Sequence, residues 1–412
     1  MLKLPAILLG LLFYLSASAQ SYIKGVVVNE STGAPVAGSS VFISNSSIGT
    51  VTDSKGEFSI VNVPAGKHEL VISCIGYETN VFAFADKDLP LQLRVKMSIK
   101  VQQLENVTVE PYLEEGWDKW GKTFTENFIG SNDNAKHCRI KNTSKIRFRY
   151  YKKSNRVIAY CDEPVLIENN ALGYTIKYQL EEFEVSFREG TTFYLGYPLF
   201  EDKTKDGKSP KNKWAKNREE AFKGSVVHFM QALYANKLAE EQFEVRRMFR
   251  SPNYEKERVK KIYKPSMATR KQVGDKIVIE IGDKGIAGTD SADYYRRIMQ
   301  QKDYIDDYAR DLLTADSLIV SSDHQYKGIY FEQFISVTYK GEIEELGYLQ
   351  SIMQANRNPS FQRSLVSLLD PEMITFDKSG SYYNPMNFMT SGYWGWSEKT
   401  SNLLPIDYKR KE

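Results

Sequence analysis

The residues of this 412-residue chain that could do chemistry are few, and their spacing excludes more reactions than it supports. An open zinc site of the peptidase kind needs three protein ligands, two of them from a His-x-x-Glu pair. His68, His137, His228 and His324 are followed three places on by Val71, Ile140, Gln231 and Lys327, so no such pair exists. A Gly-x-Ser-x-Gly elbow and a His-Glu-x-x-His helix are also missing from the sequence. Gly116-Trp117-Asp118-Lys119-Trp120-Gly121-Lys122-Thr123 fits the phosphate-binding loop pattern letter for letter. Such a loop must wrap phosphate with its backbone amides, between an entering strand and a leaving helix. Two Trp occupy the wrap and Pro111 interrupts the entry, so the segment is expected to be a Trp-anchored linker docking two halves of the chain.

Carboxylates cluster in Glu181-Glu182-x-Glu184, Asp306-Asp307 and Glu342-x-Glu344-Glu345. A glycosidase places two carboxyl groups about 5 to 9 Å apart across a cleft, a spacing that sequence does not reveal. Each cluster is therefore expected to be a solvated face. Arg246, Arg247, Arg250, Lys260 and Lys261, interleaved with Phe249, Tyr254 and Tyr263, form a candidate anion-binding patch, although Glu255 and Glu257 favour an ordinary charged surface. His228 lies beside Phe229 on an apolar helical stripe and is expected to be a core histidine. Tyr393, Trp394 and Trp396 belong to a tail from Ser381 to Tyr408 whose apolar density predicts packing. The rival expectation makes those three rings an exposed sugar-stacking surface. No cofactor is expected.

At 42% hydrophobic and 26% charged residues the composition is that of a globular protein, and a net charge of +3 gives no reason to expect a nucleic-acid partner. Met1 to Ala19 has one Lys, an apolar stretch from Leu8 to Leu15 and an Ala17-Ser18-Ala19 ending, as a secretory signal peptide does. The apolar run is far below the ~20 residues of a membrane span, and no transmembrane helix is expected in the mature chain from Gln20. With three Cys at least one must stay unpaired; Cys74 is expected to be a buried thiol, whereas Cys138 and Cys161 flank a hairpin and could pair, since an oxidising compartment permits the bond without requiring it.

Positioning falls to strands in the first hundred residues. Ser40–Ser44, Glu57–Val61, Leu70–Cys74 and Leu91–Met97 alternate apolar and polar residues and are bounded by Gly, Pro, Asn or Asp. Asp53-Ser54-Lys55-Gly56 is a turn in which Asp can accept from nearby amides and Gly can take positive φ. Gly25-x-Val27, Thr32-Gly33-x-Pro35-Val36, Gly49-Thr50-x-Thr52-Asp53-x-x-Gly56-x-Phe58, Pro64-x-Gly66 and Ile75-Gly76-Tyr77 together resemble the carboxypeptidase-regulatory-like domain. The resemblance covers about residues 21–100. It implies a transthyretin-like β-sandwich of the kind abundant in Bacteroidetes envelope proteins, where it often precedes the plug of TonB-dependent transporters. The family's signature positions are turns and core, so the resemblance implies no catalysis.

Beyond a last strand at Leu104–Pro111, the pattern predicts a larger α+β region. A hairpin is expected at Ile146–Tyr151 and Arg156–Cys161, strands at Gly173–Leu180, Thr192–Tyr197, Gly274–Asp283 and Gly328–Tyr339, and helices at Trp214–Phe222, Ser225–Leu238 and Ser291–Leu313. This region resembles the C-terminal portion attached to the same sandwich in other Bacteroidetes proteins, on Phe128-Ile129-Gly130, Asn169-Asn170-x-Leu172-Gly173-Tyr174, Arg218-x-x-Ala221-Phe222-x-Gly224-Ser225-x-x-His228-Phe229 and Leu403-Leu404-Pro405-x-Asp407-Tyr408. The expected organisation is a signal peptide at 1–19, the sandwich at 20–110 and a mainly β, α+β domain at 111–412. The expected role is non-enzymatic binding of a glycan or an envelope protein, in the periplasm or at the outer membrane. The alternatives are a glycan or peptide hydrolase and an accessory of a TonB-dependent uptake system.

Overall fold

The structure, a computed structural model, describes residues 21–100, 110–204, 210–263, 269–273, 276–280 and 290–410. The expected signal peptide and most of the strand expected at Leu104–Pro111 lie outside these residues.

Residues 21–100 form two facing sheets. Tyr22–Asn29 lies between Glu57–Val61 and Leu91–Met97, antiparallel to the first and parallel to the second. The other sheet runs Gly49–Val51, Ser40–Ile43, Lys67–Ser73 and Asn80–Ala85. Ile23, Val27, Val41, Ile43, Leu70 and Ile72 fill the space between them. The turn at Asp53 is built as its residues require. Its Oδ1 accepts from the amides of Lys55 at 2.9 Å and Glu57 at 2.8 Å, and Gly56 sits at φ +75°.

The rest of the chain is β-rich with several helices, in agreement with the expected fold class. A seven-stranded sheet contains the expected hairpin, Arg147–Tyr151 with Arg156–Tyr160, and two long strands, Tyr174–Ser186 and Thr191–Asp202. A five-stranded sheet runs Tyr304–Tyr308, Phe243–Pro252, Phe334–Ile343, Phe361–Leu368 and Phe388–Gly392. Helix Val226–Tyr234 packs Phe229, Met230 and Leu233 into a core with Val245, Ile335, Val337, Val366, Phe376 and Trp394.

Several expectations are corrected. The segment expected as a Trp-anchored linker is the start of helix Trp117–Phe128, whose amides serve the helix, while Phe124 and Phe128 pack into the core of the seven-stranded sheet. The helix expected over Ser291–Leu313 stops at Gln300, and Tyr304–Tyr308 pairs with Phe243–Pro252 instead. Asp306 there takes both Arg250 nitrogens, at 2.7 and 3.0 Å, a cross-strand clamp that outweighs a fortuitous helical spacing of Ile and Tyr. The strand expected over Gly328–Tyr339 is two strands in different sheets, Tyr326–Ile329 and Phe334–Ile343, parted by Gln333 at φ +57°. Helix Val226–Tyr234 falls short of Leu238 because Asn236 turns to φ +57°. All three Cys are free thiols, with Cys74 half-buried rather than buried.

The tail is packed. Trp394 is 3% exposed, its indole Nε1 donates to the Gly224 carbonyl at 2.7 Å, and its amide donates to Ser364 Oγ at 2.9 Å. Tyr393 and Trp396 pack with Tyr348 and Leu349, Leu403 and Leu404 lie against the seven-stranded sheet's core, and Ile406 reaches the sandwich core. Replacing Trp394→Ala opens a cavity at the centre of the largest core and orphans the Gly224 carbonyl, so it should cost about 3–5 kcal/mol. Truncation after Asp377 should give a large drop in Tm or insoluble protein. Thermal melts of both variants test this, and a truncated chain that melts like the full one would show the tail to be dispensable.

Candidate functional site

The tail also completes a cleft of about 610 Å³. Its walls come chiefly from four places. Helix Trp117–Phe128 ends at Ile129 and turns through Gly130, at φ +104°, into Asn132, Asp133 and Asn134. Gly224 and Ser225 lead into helix Val226–Tyr234, where Ser225 Oγ accepts the His228 amide at 3.1 Å as an N-cap. Strand Phe334–Ile343 contributes Lys340, Glu342 and Ile343, with Glu345 just beyond. Short helix Tyr393–Ser397 supplies Tyr393 and Ser397, followed by Glu398 and Asn402.

Gly224 could not be another residue. It sits at φ +69°, and an added Cβ would lie 2.6 Å from the Tyr339 ring and 2.8 Å from Gln362 Oε1. Its amide donates to His228 Nδ1 at 3.1 Å, which fixes the other ring nitrogen as the protonated one, 3.0 Å from Glu241 Oε2. Burial lowers the His228 pKa, and Phe222, Phe243 and Tyr339 surround the ring. It is a core histidine, as expected.

Glu342, Glu345 and Glu398 line the cleft, and the charges of Lys223 and Lys136 act on the first two. Glu342 accepts from Gln362 Nε2 at 3.3 Å and Glu345 from the Tyr393 hydroxyl at 3.2 Å. Burial lifts all three carboxyls above the ordinary range, Glu398 to about 7, with the nearby Val226 amide opposing. Of the three, Glu398 is thereby poised between acid and carboxylate near neutral pH.

Sequence reasoning assigned the Glu342-x-Glu344-Glu345 run to a solvated face, and the structure overturns this. Glu344 is buried and takes both Arg357 guanidinium nitrogens, at 2.7 and 2.8 Å. Its neighbours line the cleft because the strand register shifts between Tyr339 and Ile343. Gly341 inside an otherwise regular strand was the available signal of that bulge. The sugar-stacking surface is corrected likewise: Tyr393, Trp394 and Trp396 are all buried, and of the three only Tyr393 lines the cleft. Core packing claims apolar rings first. The basic stretch divides between strand Phe243–Pro252 and helix Tyr254–Ile262 and is largely paired. Arg246 lies 3.9 Å from Glu244, Arg250 is clamped by Asp306, and Lys260 lies 2.6 Å from Asp303. Arg247 and Lys261 are exposed, and five converging cations are not presented.

A second cleft of about 450 Å³ lies between Ser47 of the sandwich, Tyr174, Arg218 and the tail at Asp407 and Tyr408. Its charges are already satisfied. Arg218 bonds both Asp202 oxygens at 2.9 and 3.1 Å and stacks 3.9 Å over Tyr174, and the Ser47 amide donates to Asp407 at 2.9 Å. This is a seam holding the sandwich to the rest.

Glu398 has a pKa raised in the fold, so its contribution is complete below the unfolded value of 4.5 and is lost as pH rises through about 7. Glu398→Gln should therefore raise Tm at pH 8, by the equivalent of on the order of 1–3 kcal/mol, and leave it nearly unchanged at pH 5. His228 acts in the opposite sense. Its lowered pKa makes stability fall as pH drops below 6.5. Melting curves across this range test both signs, and an equal effect of Glu398→Gln at the two pH values would contradict the burial of a titrating carboxyl.

Among known proteins, the TonB-dependent receptor P39 of Formosa agariphila is 34% identical over 102 residues, which is 24% of this chain and 9% of that receptor. The chain thus spans a small part of that relative's length. Among solved structures, a type II cohesin–X-dockerin complex from Acetivibrio cellulolyticus is 27% identical, over 19% of this chain and 52% of that one, with a TM-score of 0.15. A Bacteroides fragilis protein described as membrane-associated and of unknown function is 7% identical over 87% of this chain and 95% of that one, with a TM-score of 0.16. Those scores carry no argument about architecture. In the described residues no helix is long and apolar enough to cross a membrane. Residues 23–109, the N-terminal sandwich, match the model of the CarboxypepD_reg-like domain, a non-catalytic domain type.

Proposed function

We propose that the chain is an exported, non-enzymatic binding protein of the cell envelope, with residues 1–19 as its signal peptide, a docking sandwich at 20–110 and a ligand-holding domain at 111–412. The cleft carries this reading. It combines a volume suited to a small ligand with a polar lining in which burial raises three carboxyl groups, Glu342, Glu345 and Glu398. Envelope association draws on the family of residues 23–109 and on the likeness to a TonB-dependent receptor, which also motivates a role as an accessory of a TonB-dependent uptake system.

One observation favours a hydrolase as the second reading. Glycoside cleavage requires one protonated and one ionised carboxyl group, and the cleft places Glu398, lifted to about 7 by burial, together with Glu342 and Glu345. The two readings separate in one experiment. Mature protein, with its N-terminus sequenced, is screened on a glycan array and in parallel for release of reducing ends. Binding without turnover, weakened at least tenfold by Glu345→Gln, is the expected result. Turnover abolished by Glu398→Gln would establish the hydrolase instead. Recovery of the protein from the cytoplasm with Met1 retained would remove the envelope assignment.

A further inference from the structure

We propose that the free edge of strand Asn80–Ala85 pairs with an extended segment of a different protein, apolar at alternate positions and basic at its ends. The inference builds on the docking role given to the sandwich and is independent of the cleft.

The backbone of this edge is open. Asn80–Ala85 ends its sheet, and among the described residues no strand lies on its outer side. Its ladder sets Phe82 opposite Leu70 and Ala83 opposite Glu69. The Glu69 carbonyl accepts the Ser44 amide at 2.9 Å on the far side, so Ala83 is a pair that bonds outward rather than across. The Ala85 amide confirms the parity by donating to Asp88 Oδ2 at 2.8 Å, outside the ladder. Val81 and Ala83 share that parity and turn their amides and carbonyls to solvent, where neither amide has a partner among the described residues.

The side chains leave the edge undefended. Edge strands are normally blunted by charge, Pro or a bulge. Leu91–Met97 carries Arg94 and Lys96, Tyr112–Glu115 carries two Glu, and Tyr304–Tyr308 carries two Asp. Asn80–Ala85 has none of these devices, and it exposes Val81 at 40% and Phe82 at 43%. Such a strand offers ladder bonds for affinity and alternating apolar side chains for specificity.

Charge selects the occupant. Glu78 precedes the strand, Asp86 and Asp88 follow it and Glu69 lies beside it, none of them in an ion pair among the described residues. Lys67, across from Ala85, is turned to the Tyr326 and Tyr383 rings at 4.3 and 5.3 Å, and Lys87 alone offsets the two Asp. A second copy paired antiparallel about Phe82 would set Glu78 against Asp86 at both ends, and like charges directly opposite disfavour it. A partner strand with Lys or Arg at its ends meets acids instead.

Fluorescence anisotropy on the mature chain at pH 7 tests this with three labelled peptides: alternating Val and Thr between terminal Lys residues, the same core between terminal Glu residues, and the Lys-ended peptide with Pro at its centre. The first should bind about tenfold more tightly than either of the others, and less tightly as salt rises. Ala83→Pro removes an outward donor without touching the ladder, and Val81→Lys places a charge on the edge. Each should weaken the Lys-ended peptide about tenfold with an unchanged Tm. Wild-type affinity in either folded variant would overturn the edge while leaving the sandwich to dock through another face. Equal binding of the Glu-ended peptide would overturn the basic partner, and equal binding of the Pro peptide would overturn strand pairing. A dimer of the chain alone in sedimentation, abolished by Ala83→Pro, would give the edge to a second copy. Absence of binding by all three peptides would overturn the edge as a docking site and leave the cleft, tested on the glycan array, untouched.

Discussion

The hydrogen bond from the Trp394 indole to the Gly224 carbonyl is the contact on which the larger domain depends. Both groups are buried where water cannot replace either partner, so the bond is costly to lose although modest to make. It ties the returning tail to the turn that starts helix Val226–Tyr234. That turn exists only because Gly224 accepts positive φ and tolerates Tyr339 and Gln362 at its α-carbon. Gln362, pressed there, also donates to Glu342, so one close approach sets the helix, the strand end and a carboxyl of the cleft together.

The same tail continues through three further cores. After Trp396 donates to Ser131 Oγ at 2.9 Å, Thr400 and Ser401 pair through their amides with Phe128 and Ile129 carbonyls at 3.1 and 3.2 Å. Asn169 Nδ2 then holds the Ser401 carbonyl at 2.9 Å, and the Ile406 amide reaches the Asn45 carbonyl of the sandwich at 2.8 Å. The sandwich is fixed further by Asn45 and Ser46, which bond Pro198 and Phe200 through their backbones, and by Phe42 and Val71 against Leu199. At its other end the Tyr383 hydroxyl accepts the Lys67 amide at 3.2 Å while donating to buried Asp377 at 2.6 Å. Such a seam mixes backbone ladder bonds with apolar contact, as interiors do.

The sandwich was legible because its instructions are local. Asp53 and Gly56 specify a turn within four residues, and each alternating run buries one face whatever follows it. The paired hairpin at Tyr151 and Arg156 was readable for the same reason. The site was not. Glu342, Glu345 and Glu398 acquire their character from burial against residues distant in sequence, and the alternation that would have placed the first two is broken by the bulge at Gly341. Tyr304–Tyr308 misled for a related reason: Tyr and Ile serve either period, and the choice was made by Arg250 across the sheet. Aromatic density in the tail gave packing correctly but could not say that Tyr393 would pack its ring while turning its hydroxyl to Glu345.

The path of the tail has a consequence for how the two parts of the molecule communicate. Glu398 and Asn402 line the cleft, and Ile406 and Asp407 grip the sandwich, all within ten residues of one segment of successive turns. Asn402 is itself held by Asn134 Nδ2 at 2.9 Å on the cleft's far wall. A displacement of this segment along its own axis would have to break the Asn45 and Ser47 bonds at one end and move a cleft carboxyl at the other. Backbone hydrogen bonds and buried side chains do not stretch by ångströms without cost, so the segment transmits position rather than absorbing it. The cleft's shape and the seating of the sandwich are therefore two readings of the same few residues.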